Sequence, residues 1–297
     1  MAGLQVRSLL VTGANRGIGL GLVRQVLGMP NPPEWVFAAC RDPKGERAQE
    51  LKNLASRHPN LVIIPLEVTD PASIKAAAAR VGEQLGGSGL NLLINNAGIA
   101  KLNLLDTETL EDMSLVYTTN TVGPLLLSQA FLPLLKKAAQ GSPGSALSCS
   151  KAAIINMSSY GGSIASPSGW DLMQVVSYRC SKAALNMLTK CQSLGYREQG
   201  VLCAALHPAA ARVGEQLGGS GLNLLINNAG IAKLNLLDTE TLEDMSLVYT
   251  TNTVGPLLLS QVRPSPELGC PEGHEGLVGE GPASAPVPMG SCPRRSS

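Results

Sequence analysis

Six short apolar runs, each followed by a stretch with helical spacing, constrain the fold of this chain more than any other feature. The runs are "LLVTG" at 9–13, "WVFAAC" at 35–40, "LVIIPLEV" at 61–68, "LNLLIN" at 90–95, "AAIINMSS" at 152–159 and "VLCAAL" at 201–206. Between them lie "GLGLVRQVL" at 19–27, a charged segment over 44–57, an Ala-rich segment after Asp70, a long segment from Leu110 to Ala138 and "SYRCSKAALNMLTKCQSLG" at 177–195. The runs are continuous rather than alternating, as in strands buried on both faces, and each is too short to be a helix. Strands separated by helices predict a parallel sheet with helices on both sides, joined by right-handed crossovers. The expected fold class is α/β with a doubly wound, Rossmann-type sheet.

Composition agrees with a packed body and narrows the partners. Of 297 residues, 44% are hydrophobic and 15% charged, and 2 Trp, 5 Tyr and 2 Phe leave the core to aliphatic side chains. A formal charge of +1 favours neither nucleic acid nor an anionic membrane as a partner. The 7 cysteines are odd in number and form no CxxC pair, and no metal-ligand spacing is present. With no signal-peptide pattern at the start, the expectation is a cytoplasmic protein with free thiols. The apolar run from Pro124 to Leu135 is too short to span a bilayer.

Five features fall on these elements in order. "TGANRGIG", Thr12 to Gly19, joins the first strand to the first helix. Gly13, Gly17 and Gly19 there leave room for a tight turn and for a phosphate against backbone N–H groups at a helix N-terminus. "NNAG" at 95–98 ends the fourth strand with small residues that let a ligand approach the backbone. Asn120 sits inside a helix, where asparagine is unfavourable unless something compensates it. Ser159 closes the fifth strand at its carboxyl end, where sites in open parallel sheets form. In "SYRCSK", Tyr178 and Lys182 share a helix face about 6 Å apart. At an effective dielectric near 20 an ammonium at that distance contributes about 3 kcal/mol, roughly two pKa units off the phenol. Each feature taken alone is equally an ordinary turn, cap or surface residue. Their conjunction carries the argument.

The spacing G-x-x-x-G-x-G, with Asn120, Ser159, Tyr178 and Lys182, resembles the short-chain dehydrogenases/reductases over residues 7–208. The resemblance implies that Tyr178 protonates a carbonyl oxygen as hydride arrives from a nicotinamide, and that Lys182 holds the ribose hydroxyls and lowers the tyrosine pKa. It implies that Ser159 hydrogen-bonds the carbonyl and that Asn120 positions a water in a proton relay. The cofactor would lie against Gly13, Asn15, Arg16, Gly17, Ile18, Gly19, Arg41, Glu67, Val68, Asn95, Ala97, Gly98, Tyr178, Lys182 and Pro208, with a small-molecule carbonyl as substrate and a homodimer by family analogy. Ser159 and Tyr178 are 19 positions apart, longer than the family's usual spacing, and the inserted "SIASPSGWDLMQ" looks like the loop of the C-factor and sniffer-like carbonyl reductases.

Cofactor choice has its own signal. An acidic residue ending the second strand would favour NAD. This chain reads "AACRD", with Cys40 and Arg41 at that end and Arg16 in the glycine turn, so two guanidiniums point to NADPH. Asp42 follows one residue later. Glu67 stands where the family usually has aspartate.

The remainder of the chain departs from that pattern. Residues 77–129 recur unchanged at 209–261. Solvent-facing candidates such as Lys101, Thr107 and Glu108 are repeated too, which packing does not demand, so the repeat reads as a copying event rather than a solenoid. The second copy, with Asn227, Asn228 and Asn252, is not in register with the catalytic pattern. It stands where the family has a substrate lid and a seventh strand, so the C-terminal edge of the sheet is expected to be altered, with 223–228 as a candidate substitute edge strand. Residues 262–297 are rich in Pro and Gly and have the composition of a disordered tail. The expected organisation is a reductase domain at 1–208, the duplicated segment at 209–261 and the tail at 262–297. Two readings stay open: an NADPH-dependent carbonyl reductase, or a non-catalytic or poorly folded variant that at most binds nucleotide.

Overall fold

The computed structural model describes residues 6–141, 147–165, 169–171 and 173–207. Pro208, the second repeat copy with its candidate strand at 223–228, and the tail all lie outside the described residues.

The six apolar runs form one parallel sheet: β1 (Ser8–Thr12), β2 (Trp35–Cys40), β3 (Leu61–Pro65), β4 (Leu92–Asn95), β5 (Ala153–Met157) and β6 (Leu202–Leu206). Their order is β3-β2-β1-β4-β5-β6. Every pairing is parallel, with Leu10 opposite Phe37 on one side of β1 and Leu93 on the other. The order reverses between β1 and β4, which opens a crevice at their carboxyl ends.

Successive strand residues serve opposite layers, as the period of two requires. Leu9, Val11, Val36 and Ile94 pack with Leu20, Val23 and Leu27 of α1 (Gly17–Leu27) and with Leu51 and Leu54 of α2 (Gln49–Ala55). Leu10, Phe37, Leu93 and Ile154 face the other way. They pack with Ile74, Ala77 and Val81 of α3 (Pro71–Gln84) and Leu127, Phe131 and Leu135 of α5 (Gly123–Gln140). Burying one such leucine contributes about 1.5–3 kcal/mol, so the two layers supply most of the drive to fold.

Local chemistry sets the boundaries. Asp70 caps α3 by accepting from the N–H of Ala72 at 2.9 Å, with Pro71 at the first helical position, where its missing donor costs nothing. The third strand stops at Pro65 rather than running to Val68. Proline has no N–H for the ladder and is tolerated here because β3 is an edge strand. The long helix expected over 110–138 is α4 (Leu110–Tyr117), a π-helical turn at Thr118–Val122, then α5. In the π turn the N–H of Gly123 reaches back five residues to the carbonyl of Thr118. The sixth helix, α6 (Val176–Gly195), carries Tyr178 and Lys182. Among the described residues, no helix is long and apolar enough to cross a membrane.

Candidate active site

The glycine turn and the end of β4 meet at the point where the strand order reverses. Gly13 has φ +64°, and a Cβ there would stand 3.0 Å from the Cα of Ala97. A Cβ on Gly19 would collide with the carbonyl oxygen of Gly13. Gly17, at φ +54°, has open space where its side chain would be. Two residues outside the expected cofactor set, Thr12 and Asn96, fasten this cradle. Thr12 Oγ1 accepts from the N–H groups of Asn96 and Ala97, each at 3.0 Å, and Asn96 Nδ2 donates to the carbonyl of Thr12 at 2.8 Å.

Helix α1 begins at this cradle without a side-chain cap and without an acidic residue in its first turn. Its leading N–H groups are therefore available to an anion, and the helix dipole favours one there. Arg16, Gly17 and Ile18 are exposed, Asn15 is half-buried and Gly19 is buried. The residues present suit a dinucleotide phosphate: the space beside Gly17 is open and the helix start has no side-chain cap of its own. Val68 is 6% exposed and packed into the core, which leaves only its main chain for a ligand.

The side chain of Asn95 is engaged away from the cradle. It turns away from the crevice toward the layer of α5 and α6, because it shares the face of Leu93 two residues earlier. Asn95 Nδ2 donates to Asn156 Oδ1 at 2.8 Å, and Asn156 Nδ2 donates to Thr189 Oγ1 and Gln192 Oε1. Only the backbone of Asn95 is left to border a cofactor.

The four expected catalytic residues converge beside the cradle. Ser159 follows β5, accepts from the N–H of Gly161 at 3.0 Å and is hydrogen-bonded to the phenol of Tyr178. Lys182, 4% exposed, donates from Nζ to the carbonyl of Met157 at 2.6 Å and lies 5.6 Å from the centroid of the Tyr178 ring. Asn120, fully buried in the π turn, accepts from the N–H of Ile99 at 2.9 Å and donates to the Ile99 carbonyl at 2.8 Å and to Ser181 Oγ at 3.0 Å. Ser181 Oγ in turn donates to the Tyr178 carbonyl at 2.8 Å. A Cβ on Gly98 would stand 3.2 Å from Asn120 Oδ1 and 3.7 Å from Lys182 Nζ, so the chain after β4 runs directly over both.

Packing behind the site is equally close. A Cβ on Gly162 would come within 2.7 Å of the Lys182 carbonyl carbon and 2.9 Å of the Ala183 nitrogen. Ser158 Oγ donates to Asn186 Oδ1 at 2.6 Å, and Asn186 Nδ2 reaches the Gly162 carbonyl at 3.4 Å. The loop bearing Ser159 is thus clamped to α6. His207, after β6, accepts the N–H of Tyr160 at Nδ1 at 3.3 Å, and burial holds its pKa below the ordinary value.

The electrostatics differ from the expectation of a phenol acidified by its neighbour. Burial pushes the Tyr178 pKa above its ordinary value, and the hydrogen bond with Ser159, which lowers it, does not offset this. Burial also brings Lys182 down to about 8. The physical reason is geometric. Both groups are desolvated together, and the ammonium lies over the ring while its short hydrogen bond goes to Met157. At neutral pH the pair is a protonated phenol beside an ammonium.

At the other end of the crevice, Arg41 is exposed after β2, with Nε 3.8 Å from Glu67 Oε2. Glu67 Oε1 accepts from Thr69 N–H at 3.2 Å and Thr69 Oγ1 at 3.0 Å. Asp42 is turned back on its own loop, where Oδ1 accepts from the N–H groups of Lys44 and Gly45, each at 2.9 Å.

A family model described as short chain dehydrogenase matches residues 7–214. The chain belongs to the short-chain dehydrogenase family. That family comprises oxidoreductases that use nicotinamide cofactors. Among solved structures, the chain is similar to an NADPH-bound carbonyl reductase from chicken fatty liver, at 75% identity and a TM-score of 0.69, over 70% of this chain and 77% of that one. The carbonyl reductase Sniffer of Drosophila melanogaster matches at 40% identity and a TM-score of 0.65, over 68% of this chain and 80% of that one. The short chain dehydrogenase tazN of Aspergillus terreus is 33% identical over 69% of this chain and 41% of its own length. Estradiol 17-beta-dehydrogenase 2 of Mus musculus is 34% identical over 62% of this chain and 42% of its own. The matched region therefore spans less than half of these two relatives.

Proposed function

We propose that this chain is an NADPH-dependent carbonyl reductase of the C-factor and sniffer-like branch, with its chemistry held in residues 7–208 and a small aldehyde or ketone as substrate. The observation that carries the reading is the meeting of Tyr178, Ser159, Lys182 and Asn120 beside a glycine cradle at the reversal of strand order. The likeness to an NADPH-bound carbonyl reductase at 75% identity supports it.

Bound NADPH would supply the hydride. Gly13, Asn15, Gly17, Ile18 and Gly19 would hold its pyrophosphate, with Ala97 and Gly98 along its length and Lys182 at the ribose nearer the chemistry. Arg16 and Arg41 would take the 2′-phosphate. Asp42, whose charge would oppose that phosphate, is occupied by its own turn.

In the reduction direction the raised phenol pKa is an advantage, because Tyr178 stays protonated and has a proton to give. As the carbonyl oxygen gains charge, Tyr178 transfers its proton to that oxygen and Ser159 hydrogen-bonds it. The phenolate left behind faces the Lys182 ammonium. At the separation of about 6 Å expected for side chains one helical turn apart, and an effective dielectric near 20, that attraction is worth about 3 kcal/mol, and it arises only as charge develops. Both amide hydrogens of Asn120 are already engaged, by Ile99 and Ser181. Its contribution to a relay is therefore through its backbone carbonyl, with water returning the proton to Tyr178.

The test is a thermal unfolding scan of the full chain with and without NADPH, followed by NADPH consumption over a panel of aldehydes and ketones. Ligand at about a hundred times its Kd should stabilise the folded state by about 2.7 kcal/mol. Consumption that disappears in Tyr178→Phe supports the reductase. A thermal shift without consumption by the unmodified chain would overturn it in favour of a nucleotide-binding variant.

A further inference from the structure

The helix that carries Tyr178 and Lys182 starts without a cap of its own. Val175 at its N-cap offers no side-chain acceptor and sits in the left-handed region at φ 40° and ψ 51°, which a β-branched residue rarely adopts. The first turn holds no acidic residue. The acceptor comes instead from far back in the chain: Glu108 Oε2 takes the N–H of Ser177 at 3.0 Å.

Glu108 is itself braced. Its Oε1 accepts from Asn103 Nδ2 at 3.1 Å, and the same amide donates to Asp112 Oδ2 at 2.8 Å. Lys101 Nζ lies 2.8 Å from Asp112 Oδ1. A second tie runs alongside, with Gln174 Oε1 accepting the N–H of Leu105 at 2.6 Å. Burial raises the Glu108 pKa, but hydrogen bonds from Ser177 and Asn103 outweigh it, so the carboxyl lies below its ordinary value and is ionised at neutral pH. A carboxylate at a helix N-terminus satisfies an orphan donor and meets the positive end of the dipole. From the sequence alone Glu108 is a solvent-facing candidate. The fold puts it at the start of the helix that bears Tyr178.

We propose that Glu108 is a positioning residue for Tyr178: by capping Ser177 it fixes where the first turn of α6, and the phenol one residue on, stands relative to Ser159. The proposal rests on the reductase reading for its catalytic consequence. It does not depend on that reading for its structural one.

The test uses the full chain with ζ-carbon-labelled tyrosine, the Tyr178 resonance being assigned by Tyr178→Phe. Glu108→Ala removes the cap, and Glu108→Gln keeps an acceptor for Ser177. Thr107→Val loosens the same loop by removing the hydroxyl that Leu104 N–H donates to at 3.1 Å, leaving the cap in place. Glu108→Ala should shift the Tyr178 resonance and lower kcat for NADPH-dependent reduction of 4-nitrobenzaldehyde about tenfold, with KM for NADPH within about twofold. Glu108→Gln should recover most of both, and Thr107→Val should change neither. A Tyr178 resonance unmoved in Glu108→Ala despite a lower melting temperature overturns the proposal, as does a folded Glu108→Gln that recovers nothing. Should Glu108→Ala fail to fold, Asn103→Ala, which removes the brace on Glu108 Oε1, should shift the same resonance, and an unmoved resonance there overturns the proposal. Absence of turnover in the unmodified chain defeats the reductase reading, and the resonance still decides the role of Glu108.

Discussion

The Nζ of Lys182 donates to the carbonyl of Met157 at 2.6 Å, tying α6 to the last residue of β5. Burial brings that ammonium to about 8, so it is charged at neutral pH and loses its proton as pH rises through that value. Carbonyl reduction should therefore decline on an alkaline limb near pH 8. Lys182→Met should abolish the limb and lower kcat by about a hundredfold, the equivalent of about 3 kcal/mol. A pH–rate profile of both proteins checks this.

The same shift has a stability consequence of defined sign. Between about 8 and the ordinary 10.5, the unfolded chain binds the Lys182 proton and the folded chain does not. Stability rises with pH wherever the unfolded state binds more protons. Across that window the unmodified protein should gain stability relative to Lys182→Met, as measured by urea unfolding at pH values on either side.

Asn120 makes three hydrogen bonds, two partly buried to the backbone of Ile99 and one buried to Ser181. Asn120→Ala strands the Ile99 donor and acceptor, at a cost of about 2–4 kcal/mol. The urea midpoint should fall accordingly, and reduction should stay impaired at temperatures where the variant is still folded. A variant as stable as the parent would show that Ile99 finds other partners.

Gly162 and Gly161 are neighbours with opposite tolerances. A Cβ on Gly162 meets backbone of Lys182 and Ala183 below 3.0 Å, whereas one on Gly161 makes ordinary contact, 3.4 Å from Ser159 Oγ and 3.7 Å from Tyr178 Cε1. Gly162→Ala should lose about 1–3 kcal/mol and separate Ser159 from Tyr178. Gly161→Ala should stay within about 0.5 kcal/mol of the parent. Thermal unfolding of the two variants side by side distinguishes them.

Arg41 is exposed, and its contact with Glu67 is long at 3.8 Å, so its guanidinium can swing to a phosphate. Arg41→Ala should raise KM for NADPH by about tenfold or more, as a charge-assisted hydrogen bond is lost, while KM for NADH changes little. Equal changes for both cofactors would remove Arg41 from the 2′-phosphate site.

The sheet and its helices were legible because continuous apolar runs and cap chemistry are local signals. Asp70 and Pro71 announce α3 in two letters, and Asn120 announces itself as a polar residue out of place in a helix. What escaped depends on contacts between distant positions. Thr12 with Asn96, and Glu108 with Ser177, are separated by 84 and 69 residues and leave no periodic trace. The Asn95 side-chain bond to Asn156, 61 residues away, is equally silent in the sequence, because a motif gives residue types at a strand end without their direction. The Tyr178 and Lys182 spacing gives proximity but not burial, and burial decided the phenol's pKa.

The π turn at Thr118–Val122 also carries a lesson about alignment. One additional residue per turn rotates everything beyond it by about 100° relative to a regular α-helix. The stripe that α5 presents to the sheet is consequently out of phase with the stripe of α4, although the two read as a single helix in the sequence. Excising one residue from 118–122 would let the ladder close regularly. Asn120 and the whole of α5 could then no longer both keep their partners.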